Sequence, residues 1–159
     1  MSVIETAYQE LAELSPLSKR MELAGSIRRN KTEPNDVDIV LIPADRRKIM
    51  DYVSRHSEGN IGRGNSRASY RKNGVEVELY FATEQNWGAM LMYATGSNQY
   101  NILMRTYAKF KGMKLSQKGL FKDGKMIGGQ TEEEIYAKLG KKWKEPQKRG
   151  LFVEKSRGT

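Results

Sequence analysis

Gly25-Ser26-Ile27-Arg28-Arg29, then Asp36-Val37-Asp38-Ile39-Val40-Leu41-Ile42, is where this chain concentrates both its turn chemistry and its most apolar run. Residues 37–42 are rich in β-branched side chains and stop at Pro43, the pattern of a buried strand. Side chains alternate along a strand, so Asp36 and Asp38 project from one face, about 7 Å apart. Two like charges beside a hydrophobic core are costly unless a cation lies between them. Hard, oxygen-seeking divalent ions meet that need best. An Asp-x-Asp pair alone recurs by chance at strand ends. Joined to an upstream Gly-Ser and an arginine pair, it reads as a site.

Outward from this core, residues 21–24 form a short apolar run that reads as a first strand entering the Gly-Ser turn. Residues 2–14 carry Ile4, Ala7, Tyr8, Leu11 and Leu14 at helical spacing, with Glu5, Glu10 and Glu13 outside that stripe. Ser15-Pro16 ends the helix. Residues 30–35, with Pro34, read as a loop, and residues 45–56 as a second helix burying Ile49, Met50 and Val53. His56, the one histidine, reads as a surface residue. Asn73-Gly74 between residues 68–71 and 75–82 is a tight-hairpin signal. In the second arm Glu76 and Glu78 share a face, and either could join the aspartates.

Residues 87–94 read as a helix, and Ser97 as the N-cap of another over residues 98–111. Tyr100, Leu103, Tyr107 and Phe110 are its expected inward stripe, with Asn98, Asn101, Arg105 and Lys109 on the other side. Asp123-Gly124 marks a second hairpin between residues 115–122 and 125–127. Thr131-Glu132-Glu133-Glu134 is a capping box for a helix expected to bury Ile135, Leu139 and Trp143 and to end at Glu145-Pro146. Leu151-Phe152-Val153 is an apolar triplet in an otherwise basic tail.

Charge is segregated along the chain. Residues 1–100 hold 13 Lys+Arg and 13 Asp+Glu, whereas residues 101–159 hold 15 and 6, so the net +9 lies in the last third. A basic lobe of this kind points to a polyanion, most plausibly nucleic acid. Cysteine is absent, which excludes disulfides and thiolate metal sites. No apolar run reaches the ~20 residues of a membrane span and no signal-peptide pattern is present, so an intracellular protein, cytoplasmic or nucleoid-associated, is expected.

Gly25-Ser26-x-Arg28-Arg29 followed by Asp36-x-Asp38 resembles the palm signature of family X DNA polymerases, the DNA polymerase beta-like nucleotidyltransferases. Trp87-Gly88-Ala89, Tyr93-Ala94-Thr95-Gly96-Ser97, Asn101 and Arg105 resemble that family's nucleotide-selecting segment. Glu145-Pro146 with Arg149 resembles its C-terminal stretch. The resemblance implies an α+β fold. Residues 1–85 would be a palm, a small mixed β-sheet with helices on one side. Residues 86–159 would be a small helical and hairpin lobe that selects nucleotide and binds DNA.

It also implies roles. Asp36 and Asp38 would hold two magnesium ions, with manganese a substitute, and Glu78 would be the third carboxylate, Glu76 being the fallback. Gly25, Ser26 and Arg29 would serve the incoming phosphates, Tyr93 and Gly96 the sugar, and Asn101 the base. Arg105 and Lys109 would contact DNA. The implied function is template-directed transfer from a dNTP to a primer 3′-hydroxyl, in short-gap repair of a primer-template or gapped duplex, by a monomer. Terminal transferase, RNA-modifying nucleotidyltransferase and a non-catalytic nucleic-acid-binding module are the rival functions. The chain leaves no room for the family's N-terminal lyase domain, so lyase activity is not expected. Glutamate in place of aspartate at the third position, and Ala94 where an aromatic is common, depart from the family pattern. The second departure leads us to expect loose exclusion of ribonucleotides.

Overall fold

The computed structural model describes residues 1–150, and the apolar triplet at residues 151–153 lies outside them. Two compact units form: one of residues 1–27 and 31–82, the other of Arg28–Asn30 with the residues from Thr83 onward.

In the first unit, strands β1 (Ser18–Leu23), β2 (Val37–Pro43), β3 (Gly62–Arg63), β4 (Arg67–Lys72) and β5 (Val75–Phe81) make one sheet in the order β1-β2-β5-β4-β3. Only β2 and β5 run parallel, so the sheet is mixed. Helices α1 (Val3–Leu14) and α3 (Arg46–His56) cover one face, and a single helical turn, α2 (Gly25–Arg28), follows β1. Val37, Ile39 and Leu41 of β2 and Val75, Val77, Leu79 and Phe81 of β5 meet Ala7, Leu14, Ile49 and Val53 there. The period-2 apolar pattern thus fixes which face is core and leaves Asp38, Glu76 and Glu78 on the opposite one. Asn73 and Gly74 both take positive φ, 55° and 73°, as the tight turn requires.

Helix α1 turns a different side inward than its apolar spacing suggests. Ile4 and Tyr8 are exposed, while Thr6 and Glu10 are completely buried. Glu10 accepts hydrogen bonds from the Tyr52 hydroxyl (2.8 and 2.9 Å) and the Tyr70 hydroxyl (2.7 Å), with Lys72 Nζ at 3.7 Å. Partners on two other elements, α3 and β4, make burial of this carboxylate tolerable.

The second unit contains α4 (Trp87–Thr95), α5 (Asn98–Phe110), a three-stranded antiparallel sheet of β6 (Lys114–Ser116), β7 (Gly119–Lys122) and β8 (Lys125–Gly128), and α6 (Glu132–Lys138). Residues 115–122, expected as one arm, fold back on themselves as two strands. Helix α5 buries Tyr100, Asn101, Met104 and Ala108, and exposes Leu103 and Phe110. Met104 and Ala108 pack with Leu115, Leu120 and Ile135, so the inward stripe is rotated from the one expected. Helix α6 stops at Lys138, with Gly140 at φ 72°, before reaching Trp143, which is 39 % exposed. Gly88 is obligatory: a Cβ there would lie 2.2 Å from the Thr131 carbonyl carbon.

Candidate active site

Each unit carries its own set of the residues singled out by the sequence. In the first, parallel pairing sets Asp38 directly opposite Glu78, with Asp36 one residue before the start of β2. The turn presses on this pair. Gly25 has φ +59°, and a Cβ on it would lie 2.0 Å from Asp38 Oδ2, so no other residue fits against that carboxylate. The Tyr80 hydroxyl donates to Asp38 Oδ1 at 2.9 Å. Burial pushes the Asp38 carboxyl up and the Asp36 charge pushes it further. The Tyr80 hydrogen bond opposes them, Glu78 adds to the rise, and the result is about 6.

Glu78 Oε2 accepts from Arg67 Nε at 3.1 Å and from Arg67 Nη2. Glu76 faces Arg71 instead, at 3.4 Å in a more exposed pair. Among the described residues, no group of three or more acidic or histidine side chains stands ready-assembled around one ion. The donor types nevertheless suit a hard divalent cation: Asp36 and Asp38 offer carboxylate oxygens, Asp38 is largely buried, and the Asp36 charge is close enough to raise it further. Ser26 Oγ adds a second sign of a ligand. Among the described residues it is the one buried side-chain polar atom without a hydrogen-bond partner.

In the second unit, Arg29 Nη1 donates to the Thr95 carbonyl at 2.6 Å, and Gly96 packs against the same guanidinium. The Gly96–Ser97 peptide is cis. Asn101 Nδ2 donates to the Tyr93 carbonyl at 2.9 Å, which fixes the amide. Tyr93, Asn101 and Arg105 line one cleft together with Ala89, Met92 and Leu115. Lys109 is exposed one turn further along α5.

Sequence reasoning missed Glu132, which it treated as one acid of a cap. Glu132 is 3 % exposed and accepts paired hydrogen bonds from Arg28 (2.7 and 2.9 Å) and from Arg149 (2.8 and 3.1 Å), plus one from Trp143 Nε1 at 3.0 Å. Burial alone would raise its carboxyl; the two arginines overcome that and hold it at about 2. Arg28 also donates to Thr95 Oγ1 at 2.9 Å, so the arginine pair is anchored to the end of α4 at two points. Tyr80 and Arg67 were missed as well, because nothing in a strand sequence marks which neighbour will reach a carboxylate.

Much of the chain is similar to known proteins. Residues 90–150 match the family described as DNA polymerase beta thumb. The chain is similar to Repair DNA polymerase X of African swine fever virus, with 28 % identity over 144 residues that cover 84 % of this chain and 83 % of that one. It is 29 % identical over 126 residues to DNA polymerase/3′-5′ exonuclease PolX of Bacillus subtilis, covering 74 % of this chain and 22 % of that one. A 68-residue stretch, 43 % of this chain and 12 % of the other, is 38 % identical to DNA polymerase IV of Saccharomyces cerevisiae.

Proposed function

This chain is a member of the DNA polymerase beta-like family X, and from that premise we propose that it is a template-directed DNA polymerase. It transfers a nucleotidyl group from a dNTP to a primer 3′-hydroxyl, with short-gap filling in repair as its setting. The observation that carries the proposal is the pairing of Asp38 with Glu78 across β2 and β5, with Asp36 adjacent.

Residues 1–85 act as the catalytic palm, and residues 86–159 as the lobe that selects nucleotide and binds DNA. Family X polymerases are metal-dependent, and two magnesium ions, replaceable by manganese, are assigned to Asp36, Asp38 and Glu78. Divalent cations held there supply Lewis acidity, lowering the pKa of the primer hydroxyl and neutralising charge on the triphosphate. The bond formed joins the primer O3′ to the α-phosphorus; the bond broken releases pyrophosphate. Glu78 takes the hydroxyl proton in addition to its share of the metal. Ser26 supplies its unpartnered hydroxyl, and Arg29 its guanidinium, to the β- and γ-phosphates, where charge accumulates. Gly25 keeps the turn close enough to Asp38 for both to act on one nucleotide.

Tyr93 and Gly96 face the sugar, Asn101 reads the base edge with an amide already oriented by the Tyr93 carbonyl, and Arg105 and Lys109 take the template strand. The protein works as a monomer inside the cell. Among the described residues, no helix is long and apolar enough to cross a membrane.

Single-nucleotide addition on a one-nucleotide gapped duplex, compared with single-stranded DNA, tests the proposal. Addition that follows the templating base in magnesium or manganese is expected. Equal addition to single strands without a template, or none in either metal, overturns it.

A further inference from the structure

Three glutamates that pair with arginine differ in how firmly they are held. Glu132 is locked between Arg28 and the fully buried Arg149. Glu76 and Arg71 meet at 3.4 Å and are 40 % and 52 % exposed, which makes that pair a loose surface contact. Arg67 and Glu78 fall between: the guanidinium is 46 % exposed and the carboxylate 23 %, and Nε and Nη2 both donate to the single oxygen Oε2. Of the three glutamates, Glu78 stands opposite Asp38.

The register explains the contact. Arg67 stands opposite Tyr80, and Ser69 opposite Glu78, so Arg67 reaches diagonally along the strand pair to the carboxylate. Its guanidinium carbon is also 4.9 Å from the centre of the Tyr80 ring, whose hydroxyl donates to Asp38. The guanidinium therefore rests on the aromatic face while it holds Glu78, and that contact does not depend on the carboxylate. It has room to move, because a cavity of about 300 Å³ lined by Gly62, Arg63, Gly64, Arg67, Ser69 and Glu78 opens beside it.

We propose that Arg67 is an internal counter-cation for Glu78 that a divalent metal must displace, so that one guanidinium sets how readily the carboxylate face takes its metal. This rests on the assignment of Asp36, Asp38 and Glu78 as the metal-holding set. The physical basis is competition. A carboxylate oxygen engaged by two N–H donors offers a cation less, and an arriving cation repels the guanidinium from Glu78, leaving it the Tyr80 ring it already covers. Arg67 acts as a positioning residue. It keeps Glu78 on the sheet face without metal, and its release couples metal entry to a side-chain movement.

The test is a Mn²⁺ titration of the full chain without DNA or nucleotide, with free Mn²⁺ followed by electron paramagnetic resonance. Wild type, Arg67→Gln, Arg67→Met and Asp38→Asn are compared, each checked for folding by circular dichroism. Loss of the competitor is expected to tighten Mn²⁺ binding roughly three- to tenfold in Arg67→Gln, as expected for a half-exposed ion pair. Arg67→Met should behave alike and serves if the glutamine variant does not fold. Asp38→Asn should lose the site. Unchanged or weaker binding in the Arg67 variants, with wild type still binding more tightly than Asp38→Asn, overturns this proposal and leaves the metal assignment standing. Equal binding by wild type and Asp38→Asn overturns the metal assignment and this proposal together.

Discussion

Asp38 and Glu132 show how two carboxylates of one chain take opposite characters from their surroundings. Asp38 is buried beside other acids and rises to about 6, whereas Glu132, buried between two arginines, falls to about 2. The first suits a ligand awaiting a cation; the second is a fixed strut. Asp38→Ala should remove at least about a thousandfold of nucleotide addition, given how much of phosphoryl transfer is electrostatic. DNA affinity, measured by fluorescence anisotropy, should stay near that of wild type, and normal turnover would discard the metal role. Glu78→Gln should cost far more activity than Glu76→Gln, because Glu78 alone of the two pairs with Asp38 in register.

Glu132→Gln should cost about 3–5 kcal/mol, since it strands two arginines in a buried site. The sign of its pH dependence follows from the depressed carboxyl. Its stabilisation is complete above the unfolded value of about 4.5, and is lost as pH falls from there toward 2. Urea melts between pH 5 and 2.5 should therefore show a steeper loss in wild type than in Glu132→Gln. Parallel slopes would mean that the triad does not hold that charge in the folded state.

Elements obey local patterns where one partner surface dominates, and depart from them where several compete. Helix α5 has apolar residues almost all round, so spacing alone supports more than one inward stripe. Leu115, Leu120 and Ile135 select the one through Met104 and Ala108. Helix α4 has a sharper requirement, because its first turn packs directly on the backbone entering α6. Gly88 N donates to the Gln130 carbonyl at 3.1 Å and Ala89 N to the Gly129 carbonyl at 3.0 Å, with no space for a side chain between. Gly88→Ala, usually favourable in a helix, should here lower stability by about 1–3 kcal/mol through overpacking. A thermal melt shifted upward would contradict that contact.

At the scale of the whole molecule, the charge division matters more than the total. If the basic last third engages phosphates, DNA affinity should fall steeply and log-linearly with salt. A slope of roughly −3 to −5 is expected for a handful of phosphate contacts. Lys109→Ala should then reduce the slope by about one without changing template choice. A flat salt response would remove the polyanion role from that lobe.

The strands and the turn at Asn73-Gly74 were legible in the sequence, because strand alternation and positive-φ turns are short-range properties of the chain, whereas the mixed sheet was what the family resemblance implied. Strand alternation did not choose between Glu76 and Glu78 as the residue opposite Asp38, although the resemblance pointed to Glu78, and it did not show which acid of the Thr131-Glu132-Glu133-Glu134 run is buried or why Glu10 lies in the core. Those depend on strand register and on partners 17 to 104 residues away, such as Arg149, Tyr52, Tyr70 and Arg28. A charged side chain is buried when distant groups arrive to compensate it, and only the assembled fold brings them there.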